Sequence, residues 1–221
     1  MLVFFENPKL LIDEFNQMAA IAQKKAFITV GIEIQKEEIE TIQNYLKELS
    51  ELKSEFVKKD LENEANLVYC IENSLLAIAY ELQMLVHLKE DKMSEAWNNL
   101  VRAQVIYGTV ISNSPFQSEE NDNYLNRLEQ YEKLLFPNLY FQSVGGIIKE
   151  SHCSICNQKS GKCYHIKGKL YKGKLCTRVI TDIQLEEVSL VENPANKHCR
   201  VLSIEQNGKV IDIMTLREII K

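Results

Sequence analysis

Along the first 135 residues, apolar side chains recur every three or four positions, the period of helices that bury one face. Leu11, Phe15, Met18 and Ala22 mark a first helix, opened by Asn7-Pro8, where Asn is suited to cap and Pro to the first helical position. Residues 27–34 are rich in β-branched side chains around Gly31 and read as a break or distorted turn. Ile39, Ile42, Leu46, Leu49 and Phe56 then form a seam with Glu and Lys between them, as in a coiled-coil hairpin. The following stretch, with Val68, Ile71, Leu75, Ile78, Leu82 and Leu85, has a wider apolar face and predicts the centre of a bundle. A polar link, Glu90-Asp91-Lys92, places Asp91 to cap a helix bearing Met93, Ala96, Trp97, Leu100, Ala103 and Ile106. Residues 112–118, with Pro115, read as a loop, and a last helix is expected from about 119 to 135, ahead of Pro137. Short links between long helices favour antiparallel neighbours, so the pattern predicts an all-α bundle of four or five helices. Such a bundle is also a surface through which oligomers could form.

The period then changes. Residues 175–180 and 185–191 are rich in β-branched side chains and alternate in places, as strands do. Asn193-Pro194 makes a turn, 199–204 reads as a strand, and Asn207-Gly208 is a two-residue hairpin signal before 209–213. Thr215 is placed to cap a short terminal helix over 216–220. The expected fold class is α+β, with a helical bundle over residues 1–143 and a small antiparallel β domain, ending in that helix, over 144–221.

Charge supports the same boundary. The net charge of −5 divides into 13 Lys and Arg against 23 Asp and Glu in residues 1–143, and 13 against 8 in residues 144–221. Residues 149–178 hold eight basic side chains and a single acid, Glu150. The 45% hydrophobic and 26% charged fractions are those of an ordinary soluble protein, and no apolar run is long enough to span a membrane. The start, MLVFFENPKLL, lacks the features of a secretory signal. Together with the gathering of four of the six cysteines in one cluster, this predicts a reducing, cytoplasmic setting.

That cluster is the chemistry of the chain. In CSICNQKSGKCYHIKGKLYKGKLC, Cys153 and Cys156 form a C-x-x-C knuckle, Cys163 and His165 follow as C-x-H, and Cys176 lies downstream. Thiolate and imidazole are the preferred ligands of tetrahedral Zn²⁺, so Cys153, Cys156, Cys163 and His165 are the expected metal ligands, with Cys176 as the substitute. Four protein ligands leave no open position for water, which points to a structural ion. A β unit this small is below the size at which a core alone is dependable, a physical reason to need the metal. The helical part holds no comparable constellation: His87 and Cys70 read as packing residues, and no Glu-x-x-His pair occurs there.

Two features of residues 150–205, the C-x-x-C…C-x-H-x-x-G-x-x-Y-x-G block and the phrase EVSLV-x-x-PAN, resemble a segment of proteins related to tailed-phage prohead proteases and head-maturation factors. The resemblance implies a serine nucleophile at Ser189 and a role in phage head assembly or antiphage defence. A serine needs a base within reach, and the histidine motif of that family, with its following Asp, has no counterpart among this chain's four histidines. The reading preferred from the residues is therefore a non-catalytic adaptor or assembly protein that binds a protein partner. The alternatives are a prohead-type serine protease acting through Ser189 and a nucleic-acid-binding zinc module. In the last, Lys167, Lys169, Lys172 and Lys174 would meet phosphates while Tyr164 and Tyr171 stack on bases. The same lysines could instead meet an acidic protein surface.

Overall fold

The computed structural model describes residues 8–115, 119–137 and 139–219. Five helices come first: α1 (Pro8–Lys25), α2 (Ile32–Lys58), α3 (Glu62–Lys89), α4 (Met93–Asn113) and α5 (Glu119–Leu135). Asn7, expected to cap α1, lies outside the described residues. None of the described helices is long and apolar enough to cross a membrane.

The wide apolar face read at 68–85 has the predicted consequence. Helix α3 packs against α1, α2 and α4, and its buried side chains, among them Val68, Leu75, Leu82, Met84 and Leu85, occupy the centre of the core. At 28 residues it is about 42 Å long, which sets the length of the bundle. Helix α2 contributes Ile39, Ile42, Leu49 and Phe56 from the seam read in the sequence, and Leu52 beside them. Helix α1 contributes Leu11 and the small Ala19 and Ala22, which let its backbone come close to its neighbours. Helix α5 packs on α4, with Leu128 and Tyr124 buried.

Three polar details could not be read from periodicity. The break at 27–34 is held by Gln35, which is fully buried at the start of α2. Its amide donates to the carbonyls of Lys25 and Phe27 and accepts from Lys89 Nζ, so one side chain fastens the α1–α2 turn to the end of α3. Glu81, fully buried on α3, accepts a 2.9 Å hydrogen bond from Arg127 on α5, and the Arg127 guanidinium lies over the Tyr124 ring. Burial pushes the Glu81 carboxyl up, and Arg127 and then the Tyr124 hydroxyl draw it back, as expected for a charge removed from water beside opposing partners. Asp91 does not cap α4. It takes a left-handed conformation (φ 59°) in the α3–α4 turn, Lys92 occupies the cap position, and the Asp91 carboxylate is free to pair with Arg217.

Six strands follow: β1 (Phe141–Cys153), β2 (Leu170–Tyr171), β3 (Lys174–Leu175), β4 (Arg178–Val191), β5 (Ser203–Gln206) and β6 (Lys209–Asp212). They pair antiparallel as β1–β4, β2–β3 and β5–β6, so the β unit is three two-stranded ribbons rather than one sheet. Strand β1 was not foreseen, because Gly145-Gly146 breaks its pattern. Gly146 is required there: a Cβ would stand 2.6 Å from the Gln184 carbonyl oxygen across the ladder. The two segments expected at 175–180 and 185–191 are largely one 14-residue strand, β4. The strand expected over 199–204 is displaced to β5. Asn207-Gly208 makes the expected hairpin turn, both residues at positive φ.

The expected terminal helix does not form over 216–219; Ile220 lies outside the described residues. The chain instead turns at Asp212, whose carboxylate accepts from the backbone N–H groups of Met214 and Thr215, and Glu218 runs back beside Ile211. Thr215, the expected cap, thus serves a turn, and Leu216 is in the left-handed region (φ 56°), which ends helical geometry at its first residue.

The two parts join at Trp97, 2% exposed on α4. Its indole N–H donates to the Lys197 carbonyl (3.0 Å), and its ring meets Phe136 edge-on and Phe141 at a tilt. Phe141, at the start of β1, and Met214 belong to the bundle's own core cluster. Asn196 organises the docked turn by accepting from His198 N–H and Cys199 N–H. The PAN turn is thus the piece that seats the β unit on the bundle.

Candidate metal centre

The loop between β1 and β4 is built from tight turns, which is why its ligands converge. Cys153 ends β1, and its carbonyl accepts from Asn157 N–H, closing the knuckle over an Asn in left-handed conformation (φ 56°). Cys153 N–H donates to Gln158, and Ser160 N–H to Ser151, so the chain doubles back at once. On the far side, β2 and β3 make a hairpin through Lys172-Gly173, both at positive φ. Gly168 N–H and Cys176 N–H extend that hairpin by bonding to Cys176 and Lys169 carbonyls. Ser154 and Thr177 stitch the two sides together.

The sulfurs of Cys153, Cys156 and Cys163 and one ring nitrogen of His165 all lie within 4.8 Å of one another. Ligands about 2.3 Å from a tetrahedral ion stand roughly 3.8 Å apart, so this cluster could close on a metal ion with little movement. Nδ1 of His165 is shielded from solvent and has no hydrogen-bond partner among the described residues, while the ring is held edge-on by Tyr171 at 4.6 Å. A buried ring nitrogen left without a partner costs stability, and a metal ion on an unprotonated nitrogen would relieve that cost. Cys176, the substitute ligand, is buried with its sulfur 3.8 Å from that of Cys153. It lines the same cavity of about 290 Å³ as Cys153, Cys163 and His165.

The electrostatics distinguish the sulfurs. The backbone N–H groups of Cys156 and Ile155 point at Cys153 Sγ and bring its thiol down to about 6, against the opposing effect of burial. Such N–H donors favour the thiolate, the form that binds metal. The His165 N–H draws the Cys163 thiol down, but burial and the sulfurs of Cys156 and Cys153 push it up on balance. Burial, then the neighbouring Cys153, push Cys176 up to about 11. Crowded thiols that oppose one another's ionisation are relieved by a cation among them.

The other expected site residues fall elsewhere. Ser189 is in β4 opposite Ser143, and each histidine is engaged away from it. His87 lies between Gln83 and Asn99, His152 beside Thr181 and Glu150, His165 in the cluster, and His198 beside Asn98. Of the four lysines, two fasten the loop to the chain's own bundle. Lys172 pairs with Asp60, and Lys169 Nζ donates to the Ser112 carbonyl. Gly173 N–H donates to Asn66, at a point where a Cβ would press on the Lys53 side chain and the Ala65 carbonyl. Lys167 and Lys174 are exposed, with no ion pair to another described residue. Tyr171 is not available for stacking: its hydroxyl accepts from Ile166 N–H and its ring holds His165. Tyr164 is fully exposed.

The chain matches no family model, no curated protein and no solved structure. The likeness to prohead-protease segments therefore rests on the two motifs in residues 150–205.

Sequence reasoning read most of β4 but missed β1 and the pairing that makes the two a ribbon. The β1–β4 ribbon carries the metal loop at one end, is seated on Trp97 at the other, and is exposed between them. A signal existed in the runs GII and VITDI, but the paired glycines and the absence of strict alternation hid it.

Proposed function

We propose that this protein is a non-catalytic protein–protein interaction scaffold whose binding element is the β1–β4 ribbon, held in place by a structural Zn²⁺ on Cys153, Cys156, Cys163 and His165. The observation that carries this reading is the ribbon's exposure. Val144, Ile148, Ile183, Leu185, Val188 and Leu190 all stand in solvent, and the last three are each 63–66% exposed. An isolated two-stranded ribbon is marginal in water, and a contiguous exposed aliphatic surface marks a site of association. The zinc assignment is supported by the donor set, three sulfurs and an imidazole, which fills a tetrahedral shell and leaves no place for a substrate. A phage-related role, in head assembly or antiphage defence, has only the motif resemblance behind it.

The test is cross-linking mass spectrometry on tagged protein in its native host, comparing wild type with Leu185→Ser/Val188→Ser. Cross-links from the ribbon to a protein partner, lost in the double variant while its metal content stays at one zinc per chain, support the reading. Cross-links that survive the double variant sink it.

A second reading, nucleic-acid binding, is favoured by one observation: fully exposed Tyr164 stands among the exposed Lys162, Lys167 and Lys174. Against it stand an overall charge of −5 and the use of Lys169 and Lys172 in docking the loop to the bundle. Binding that falls steeply with salt and is lost on Tyr164→Ala would promote this reading over the first.

A further inference from the structure

The cluster offers one donor more than a tetrahedral ion takes. Cys153, Cys156, Cys163 and His165 are the mutually close set, and four ligands complete the shell. Cys176 stands outside that set, yet its sulfur lies 3.8 Å from that of Cys153, and both cysteines are buried. Two ligands of one ion would stand equally far apart, so the place of Cys176 is decided by counting. His165, whose Nδ1 has no other partner among the described residues, takes the fourth position and leaves Cys176 over.

A buried cysteine is ordinarily packing material, as Cys70 is in α3. Cys176 is placed differently: its sulfur touches another sulfur, and the cavity of about 290 Å³ that it shares with Cys153 has no Val, Leu or Ile in its lining. A small polar molecule has room beside both residues. The backbone around them is also ready for a bridge. Cys153 ends β1, Cys176 lies two residues before β4, and their neighbours are already joined. Ser154 N–H donates to the Thr177 carbonyl, and Thr177 N–H to Ser154 Oγ. Closing the sulfurs to about 2 Å therefore asks for side-chain rotation rather than movement of the strands.

We propose that Cys176 is a resolving thiol, which hydrogen peroxide joins to Cys153 in a disulfide that expels the zinc. The inference rests on the reading of the cluster as a zinc site. The Cys153 thiolate attacks one peroxide oxygen and the O–O bond breaks; the departing hydroxide takes a proton from solvent and leaves as water. Cys153 is then a sulfenic acid. The Cys176 sulfur attacks it, the S–O bond breaks, and the hydroxyl leaves with the Cys176 proton as a second water. Two sulfurs have lost two electrons and peroxide has gained them. A disulfide sulfur is no longer a thiolate donor, so three ligands remain and the ion is released. The bridge takes over from the ion at the foot of the β1–β4 ribbon, while the turn carrying Cys156, Cys163 and His165 is let go. The hairpin contacts with Asp60 and Asn66 involve none of these ligands and persist. A thiol reductant reverses the bridge and restores the site.

The test uses full-length, zinc-loaded protein in a Cys199→Ser background, because Cys199 is exposed and would cross-link separate molecules. Hydrogen peroxide is added, released zinc is read with a chromogenic chelator, and disulfides are mapped by non-reducing peptide mass spectrometry. The expected result is zinc release with a Cys153–Cys176 bridge, and recovery of bound zinc after dithiothreitol. Cys176→Ser is expected to hold its zinc before oxidation, to form no bridge, and to lose the recovery, since an unresolved sulfenic acid goes on to sulfinic acid. A Cys176→Ser protein that cannot hold zinc would make Cys176 a ligand and overturn the proposal. A bridge mapped to Cys153–Cys156, or full recovery in Cys176→Ser, would overturn it as well. Zinc that stays bound under peroxide overturns the redox inference and leaves the zinc reading standing, whereas wild type purified without zinc sinks both.

Discussion

The two halves of this chain solve the same problem by different means. The bundle buries a continuous core from α1 to α5, centred on a helix with fifteen buried residues. Strand β4, with half as many residues as that helix, has no fully buried side chain. Apart from the junction residues Phe141, Arg200 and Met214, the buried side chains described beyond residue 140 are those of Ser151, Cys153 and Cys176. The β unit has no hydrophobic core of its own. Its interior is the sulfur cluster, and its remaining support comes from docking on the bundle, at Trp97 and through polar contacts to Asp60, Asn66, Asp91, Ser112 and Glu132. A large apolar interior tolerates the loss of any one contact, whereas a unit organised around one small cysteine and histidine cluster and a set of polar docking contacts does not.

Metal removal breaks this comparison most sharply. If the cluster is the interior of the β unit, ligand binding energy is folding energy for residues 141–219 and the bundle is indifferent to it. Cys153→Ser with Cys156→Ser, or treatment with a strong chelator, is expected to collapse the amide dispersion of the β-unit signals in a two-dimensional NMR spectrum. The helical signal in circular dichroism should change little. Helical unfolding in step with the β unit would show that the two halves are one cooperative body.

Next in size is the junction. Trp97→Ala removes a fully packed indole and a hydrogen bond to Lys197, a loss of about 3–5 kcal/mol for a large core aromatic. Because Trp97 also seats Phe141, hydrogen exchange is expected to accelerate at Gln142 and Val201, whose amides bond across the root of the β unit. Thermal denaturation reports the first effect and exchange mass spectrometry the second. Protection at those amides that survives the substitution would mean the root is held by something other than the indole.

Within the bundle, Gln35→Leu is expected to cost about 2 kcal/mol, although it adds apolar bulk to a buried position. It strips the carbonyls of Lys25 and Phe27 and the ammonium of Lys89 of their shared partner. The denaturant midpoint should fall without change in slope. Gln35→Glu, which keeps acceptors for Lys89 but loses the donors, separates the two contributions.

How far the sequence revealed these features follows from the kind of force involved. Helix positions and the central place of α3 were legible because burial imposes a period on apolar residues, as at Leu75, Ile78, Leu82 and Leu85. The cluster of three sulfurs and an imidazole was legible because its spacing is local. Gln35, Glu81 and Asp91 were not, since each is defined by a partner far along the chain: Lys89, Arg127 and Arg217. Strand β1 was hidden for a related reason. Both of its faces escape its own core, so no alternation between apolar and polar residues was imposed on it. The terminal helix was misread because Thr215 has the side chain of a helix cap, whereas the Asp212 carboxylate three residues earlier captures its N–H for a turn.

The smallest expected effect is a pH dependence that differs between the halves. Glu90, at the end of α3, accepts from Lys92 and Lys36, and these hydrogen bonds hold its carboxyl down, at about 2 against an ordinary 4.5. A folded value below the unfolded one stabilises the native state above about pH 4.5, and that contribution is lost as the pH falls toward 2. Asp60 is likewise lowered, by its hydrogen bond from Lys172, but its partner belongs to the metal loop. Acidification over this range therefore loosens an exposed link within the bundle and, separately, one of the contacts that fastens the ribbon's tip. Both pairs are open to solvent, so salt should weaken each. Between pH 5 and 3, Glu90→Gln is expected to flatten the pH dependence of the bundle's melting temperature. Asp60→Asn should leave that curve alone and remove the acid-induced rise in hydrogen exchange at Gly173, whose amide bonds to Asn66 on α3. If Asp60→Asn instead shifted the bundle's melting curve as much as Glu90→Gln, the tip would be an integral part of the helical core rather than a unit docked upon it.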